Sequence, residues 1–166
     1  MGFSGTFLVA RADRPLTELS ALRAVDASPC WSAGDGPWQI LQLSPIAEPD
    51  DSIVTETAAP VLVLHVQDSD FAGVRAVSPG GPVWHCVLSP ETARDYDVPE
   101  RWIGEPDEVT DHAVAWAEEA GLRPDRAAVR AVLEAESDPF AEDLVVDLVH
   151  ALGFRFDAGR SLHDPR

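Results

Sequence analysis

Three short apolar stretches, separated by turn-forming residues, constrain the fold of this chain more than any other feature. They cover residues 61–66, 72–78 and 83–88. Residues 68–70 (Asp-Ser-Asp) and 79–82 (Pro-Gly-Gly-Pro) separate them, and Asp, Ser, Gly and Pro all favour tight turns. The segment therefore predicts three consecutive antiparallel strands joined as a meander.

Two further strands are predicted before the meander. Residues 6–10 form an apolar run, and residues 38–43 have strand-like composition. Between them, Pro15 is suited to begin a helix whose leucines recur at helical spacing, and residues 28–37 predict a loop. This order predicts a β-α-β start. Residues 52–58 suit one or two helical turns.

The C-terminal half of the chain predicts helices. Ser89 and Pro90 suit the start of a short helix, and an acidic, proline-containing connector follows over residues 97–107. Three amphipathic stripes come next, ending in 140–152. Strands gathered early and helices gathered late indicate an α+β fold with a mixed or antiparallel sheet of about five strands.

Length and composition indicate one soluble domain. A chain of 166 residues fits a single domain, which we assign to residues 1–154, with a polar tail over 155–166. The sequence contains no signal-peptide pattern, no apolar run of membrane-spanning length and only two cysteines. We therefore expect a cytoplasmic protein with reduced thiols and no membrane partner. Its arginine-only, alanine-rich composition is typical of a GC-rich bacterial genome.

The charge balance narrows the classes of partner. The formal net charge is −17, with −6 on residues 1–89 and −11 on residues 90–166. A field of this sign repels phosphate backbones, so nucleic-acid binding is not expected, whereas a basic protein partner fits. Solubility alone is the simpler explanation of the charge.

No sequence motif indicates catalysis. The chain lacks a Gly-x-Ser-x-Gly elbow, a phosphate-binding glycine loop and an HExxH helix. We predict no cofactor and no metal site, and the balance of these observations favours a protein that is not an enzyme.

The acidic connector contains the predicted partner-binding residues. Trp102 and Ile103 lie among carboxylates, and an exposed tryptophan in such a setting suits a basic, apolar partner. The alternative is that Trp102 anchors the connector onto the core. The full predicted set is Asp97, Glu100, Trp102, Ile103, Glu105 and Asp107.

The meander contains the predicted ligand-site residues. Asp68 and Asp70 are spaced to hold a divalent cation, although turn formation explains both. With two-residue turns, His65 would lie opposite Val74 and Cys86 opposite Arg75, whose charge would lower the pKa of the thiol. The full candidate set is His65, Asp68, Asp70, Arg75 and Cys86.

The same assumed register bears on the histidines and on Cys86. It places His65 and His85 on one side of the sheet, with the middle strand between them, too far apart to share a metal ion. Cys86 is alternatively a small buried apolar residue.

Two classes of function follow. The first is a non-catalytic protein-interaction module, of inhibitor, immunity or adaptor type, that uses the acidic surface. The second is a small-molecule-binding domain or enzyme with a site near the meander.

Overall fold

One antiparallel sheet of six strands forms the centre of the molecule. The computed structural model describes residues 2–80 and 83–156. The strands are β1 (Gly5–Arg11), β2 (Ser28–Asp35), β3 (Trp38–Ser44), β4 (Val61–Gln67), β5 (Phe71–Val77) and β6 (Trp84–Leu88). They lie in the order β2-β3-β1-β4-β5-β6, with every neighbouring pair antiparallel. The predicted α+β class is confirmed.

The helices come mostly after the sheet. One short helix precedes β4, and the others follow β6, as the amphipathic stripes predict. In the described part of the chain they are α1 (Ser52–Thr57), α2 (Pro90–Asp95), α3 (Glu100–Ile103), α4 (Pro106–Glu119), α5 (Arg126–Glu134) and α6 (Ala141–Ala151).

Strand β2 is the strand that sequence reasoning missed. The predicted loop 28–37 contains this edge strand, which pairs only with β3 and has a bulge between Pro29 and Trp31. An edge strand has one free side, so it tolerates proline and glycine that a central strand excludes. Its burial is correspondingly slight, with Trp31 and Ala33 packing partly against the core.

The helical segment of the predicted β-α-β start is 3₁₀ rather than α-helical, and β2 follows it before β3. β1 and β3 are antiparallel neighbours, and the leucines between them form two single turns of 3₁₀-helix, Leu16–Glu18 and Ser20–Leu22. Leu16, Leu19 and Leu22 recur every three residues, which is the period of a 3₁₀-helix rather than of an α-helix. All three side chains are buried on the sheet.

The two faces of the sheet are covered unequally. On one face, alternate residues such as Phe7 and Leu62 pack against the C-terminal helices around the fully buried Trp116. On the other face, Leu8 and Val63 pack under the 3₁₀ turns and α1. These elements cover β1, β3 and part of β4, while α2 and α3 cover Val87 on β6. The face of β5 between these two layers remains open.

The packed part of the chain continues past residue 154. Phe154 and Phe156 are both buried, and the ring centroid of Phe154 lies 5.1 Å from that of Trp38. The rest of the predicted tail, residues 157–166, lies outside the described residues. Within residues 2–80 and 83–156, every helix is too short or too polar to cross a bilayer.

Candidate binding groove on the open sheet face

The register of the meander differs by one residue from the predicted one. The β4–β5 turn has three residues, with Asp68 and Ser69 both at positive φ, so His65 lies opposite Gly73. The β5–β6 register also shifts by one, which places Cys86 opposite Val74. The predicted pairing of Cys86 with Arg75 is therefore wrong. Arg75 instead lies opposite His85.

This register brings three basic side chains to one face of the sheet. His65, Arg75 and His85 come from three adjacent strands and lie on the same side, because residues paired across an antiparallel ladder share a face. The expectation that the two histidines share a side, separated by β5, is confirmed. Gly73 lies between them in the middle strand.

A groove of about 500 Å³ runs over this open part of the sheet. Gly73 forms its floor: a Cβ atom added there would have no heavy atom within 4 Å. Most of its walls are apolar side chains, and they are Phe71, Val83, Val87, Val98 and Trp102. The volume falls in the range of about 300–1,000 Å³ that is typical of small-molecule binding sites, which are also lined mostly by apolar side chains.

One end of the groove is an ion-pair network centred on Arg75. Its guanidinium donates to Asp51 Oδ1 at 2.9 Å and to Glu48 through a second short contact. Burial alone would lower the pKa of Arg75, but the hydrogen bond to Asp51 and the charge of Glu48 outweigh it and raise the pKa. The guanidinium is thus always charged, and two carboxylates share it at this end of the groove.

His65 fixes the same loop to the sheet. Its Nε2 lies 2.5 Å from Glu48 Oε2, and a carboxylate can only accept, so Nε2 carries the proton. Its Nδ1 shares a hydrogen bond of 2.8 Å with Thr6 Oγ1, which also accepts the Ala47 N–H at 3.0 Å. The chain around Glu48 is therefore held in place as one wall of the groove.

The other end of the groove is formed by α3. The His85 and Trp102 rings lie 5.2 Å apart, and His85 Nε2 donates to the Arg101 carbonyl at 2.9 Å. The Arg101 guanidinium lies 5.8 Å from the centroid of the Trp102 ring. These contacts position the Trp102 ring, about half of whose surface remains exposed.

Two of the exposed large apolar side chains line this groove. Among the described residues, the large hydrophobic side chains that are exposed are Ile46, Val83, Tyr96 and Trp102, with Val83 at 59% and Trp102 at 49%. Val83 and Trp102 line the groove. Tyr96 contacts Phe71 with ring centroids 5.1 Å apart, and Ile46 precedes Glu48 by two residues. Clustered exposure of this kind marks an interaction surface.

The predicted partner-binding residues divide between surface and core. Trp102 and Asp97 are exposed, whereas Ile103 is buried with Val87 and Ala93 in a small apolar cluster under α2 and α3. Ile103 rather than Trp102 therefore anchors the connector.

The three remaining carboxylates of that set already have partners within the chain. Glu100 pairs with Arg94, which lowers the pKa of Glu100. Glu105 accepts the Glu108 N–H at the start of α4. Asp107 contacts Arg130. All three of these residues remain exposed.

Asp68 and Asp70 hold neighbouring segments together. Asp68 Oδ1 accepts the Gly2 N–H at 2.7 Å, and Asp70 accepts from the Tyr96 hydroxyl. The latter contact raises the pKa of Tyr96. Their roles are those of turn residues. Across residues 2–80 and 83–156, no group of three or more His, Cys, Asp or Glu side chains is arranged to hold a metal ion.

The Cys86 side chain lies on the opposite face of the sheet from His65, Arg75 and His85. Its side chain is 2% exposed among the apolar residues that face the C-terminal helices. Burial raises the pKa of its thiol to about 12, so the thiolate is scarce at neutral pH.

Sequence reasoning missed Gly73, Val83 and Glu48 as groove residues. A glycine inside a predicted strand is a signal for a close approach or an open space, and it could have identified the floor. Glu48 carries no comparable signal, because its position depends on a long-range contact with β4 and β5.

Comparison with known proteins identifies no relative. No family model, no curated protein and no solved structure matches the chain.

Proposed function

We propose that this protein is a non-catalytic interaction module that binds a basic protein through the open face of β5 and β6. The observation that carries the proposal is the gathering of exposed apolar side chains, Val83 and Trp102 above all, around one groove. An inhibitor, immunity or adaptor role would use such a surface.

Charge supports a basic partner. The chain has a net charge of −17, and the carboxylates of Glu48 and Asp51 are exposed at the groove end. An apolar centre with a charged rim is the usual anatomy of a protein–protein interface. A negative rim speeds association with a positive partner and weakens as salt rises.

The absence of a reactive constellation around the groove also fits a binding role. The histidines are both engaged, His65 with Glu48 and Thr6, and His85 with Arg101. The buried Cys86 thiol belongs to the other face of the sheet. Lone polar groups without a nucleophile–base pair seldom form active sites.

Affinity capture from native lysate tests the proposal when variants are compared. We expect proteins retained by the wild type at low salt to be lost with a Trp102→Ala, Val83→Ser double variant and weakened at high salt. Ala115→Ser, at an exposed position of α4, is the control and should capture the same proteins. If the double variant captures the same proteins as the wild type, the groove face is not the docking surface.

A small-molecule ligand is the second candidate, favoured by the groove volume of about 500 Å³. His65 and Arg75 from the predicted ligand set line it, and Cys86 borders it although its side chain packs in the core on the other face. A thermal-shift screen with common metabolites would detect such a ligand, because binding well above its dissociation constant stabilises the fold. A ligand whose stabilisation is abolished by Gly73→Val would favour this candidate over protein docking.

A further inference from the structure

The groove has an apolar part and an anionic part, and they lie next to each other. Gly73 and the Phe71, Val87 and Val98 side chains form the apolar part. Glu48, held by Arg75 and His65, forms the anionic end. The two parts together specify the chemistry of an occupant more narrowly than net charge does.

We infer that the groove binds a partner segment in which a large apolar side chain is followed or preceded closely by Arg or Lys. The apolar side chain occupies the space over Gly73, and the cation pairs with Glu48 and Asp51. This inference rests on the proposed docking function and specifies the part of the partner that is recognised.

The floor of the groove is the first reason. Phe71, Val87, Val98 and Trp102 surround a position at which the sheet itself has no side chain. A partner side chain seated there removes apolar surface of both molecules from water, at roughly 25 cal/mol per Å². A methyl or hydroxyl group would leave most of the groove empty, so a Leu, Met or aromatic side chain fits best.

The charge at the groove end is the second reason. The two carboxylates of Glu48 and Asp51 exceed the charge of Arg75 alone by one unit, and His65 lies beside Glu48 as a second basic group. The side chains of Glu48 and Asp51 are 56% and 80% exposed, which leaves oxygen atoms facing solvent. A carboxylate on the partner would meet this excess as well as the overall charge of −17, and it is therefore disfavoured.

Arg75 has a positioning role in this arrangement. Its contacts fix Glu48 and Asp51 before a partner arrives, so binding does not have to order the loop that carries them. Preorganisation of this kind raises affinity because the entropy of ordering is already lost.

Peptide selection on the full chain tests the inference. The probe is a phage-displayed library of random peptides of about twelve residues, which samples short linear recognition modes. Enriched peptides are then synthesised, and their dissociation constants are measured against the wild type, Gly73→Val and Glu48→Gln. Gly34→Ala on β2 and Glu118→Gln on α4 are the matched controls, since both lie away from the groove.

The expected result is enrichment of peptides that carry a large apolar residue within a few positions of Arg or Lys. Gly73→Val should weaken them by at least about tenfold, because the added side chain fills the floor, as loss of a central anchor does elsewhere. Glu48→Gln should weaken them by a smaller factor that shrinks at high salt. Both controls should bind as the wild type does.

Two other outcomes overturn the inference in different ways. Selection of basic peptides without an apolar residue, unaffected by Gly73→Val, would leave docking to an acidic surface intact and would remove the groove as its anchor. If no peptide is enriched above the level found with an unrelated acidic protein, the inference fails, whereas the docking function fails only if the Trp102→Ala, Val83→Ser variant captures the same proteins as the wild type. Circular dichroism of each variant confirms that it is folded before its affinity is interpreted.

Discussion

Arg75 on β5 lies directly opposite His85 on β6, and this pairing determines which side chains line the groove. It places the guanidinium on the open face of the sheet, where Glu48 and Asp51 can reach it. A slip of one residue would turn Arg75 toward the apolar layer under the C-terminal helices. The groove, its anionic end and the position of Cys86 all follow from the same register.

Arg75→Gln should loosen the loop that carries Glu48. Each exposed ion pair contributes up to about 1 kcal/mol, so we expect a loss of roughly 1 kcal/mol in unfolding free energy. The larger effect should be local. We expect faster hydrogen exchange at the Ala47 N–H, which bonds to Thr6 Oγ1 in the wild type. Arg23→Gln, at an exposed arginine beside a 3₁₀ turn, is the control. Unchanged exchange at Ala47 would contradict a positioning role for Arg75.

Glu136→Gln should detach the first turn of α2. Burial opposes ionisation of Glu136, but hydrogen bonds from Ser89, from the Glu91 and Thr92 N–H groups and from the Thr92 hydroxyl outweigh it and lower its pKa. We expect faster hydrogen exchange in α2 and α3, with little change in α6, because removing a charged acceptor leaves these donors with weaker bonds. Equal hydrogen exchange in the variant and the wild type would show that the hydrogen bonds to Glu136 are not needed to hold the start of α2.

The same carboxylate predicts the direction of one pH effect. Because folding lowers the pKa of Glu136 below its ordinary value of 4.5, its contribution to stability is present above that pH. That contribution is lost as the pH falls through the lower pKa of the folded state. Denaturant unfolding across acid pH should therefore show a weaker pH dependence for Glu136→Gln than for the wild type. A parallel pH profile for the two proteins would argue against this linkage.

The two cysteines should differ in reactivity toward a thiol reagent. Cys30 is exposed on β2, whereas Cys86 is buried and the pKa of its thiol is raised to about 12. The native protein should therefore label at Cys30 alone, and both thiols should label after unfolding in denaturant. The Cys30→Ser variant should remain unlabelled while folded. Rapid labelling of Cys86 in that variant would contradict the burial of its side chain.

Substitution of Trp116 should mainly lower stability, whereas substitution of Trp102 should mainly weaken partner binding. Trp116 is fully buried and its Nε1–H donates to the Val77 carbonyl at 3.2 Å, so Trp116→Ala should lower unfolding free energy by about 3–5 kcal/mol. Trp102→Ala, on the surface, should cost much less stability but should weaken partner binding. Urea denaturation of both variants measures the difference. Similar losses of stability would mean that Trp102 is a structural residue.

The strands and helices with strong local patterns could be predicted from the sequence. The meander and the amphipathic helices that became α4, α5 and α6 follow from periodicity, and the α+β class follows from their order. β2 was missed because an edge strand is stabilised on one side only. The spacing of three between Leu16, Leu19 and Leu22 is compatible with both helix types, so the sequence does not distinguish the observed 3₁₀ turns from an α-helix.

The candidate site, like the fold, was predictable from the sequence only in part. The residue types are evident in the sequence, which predicts His65, Arg75 and Trp102 as candidate site residues. Their meeting was not, because it depends on a three-residue turn, on the β5–β6 register and on a loop that returns to place Glu48 beside β4.

By itself, the sequence determined the acidic character of the surface, the class of fold and the positions of the central strands and later helices. These are properties of composition and of local periodicity, which act over a few residues. Only the tertiary structure decided the register, the burial of Cys86 and Ile103, and the open groove over Gly73. A shift of one residue costs little locally but reverses the face of every side chain in a strand, and only packing of the whole apolar layer selects between the two.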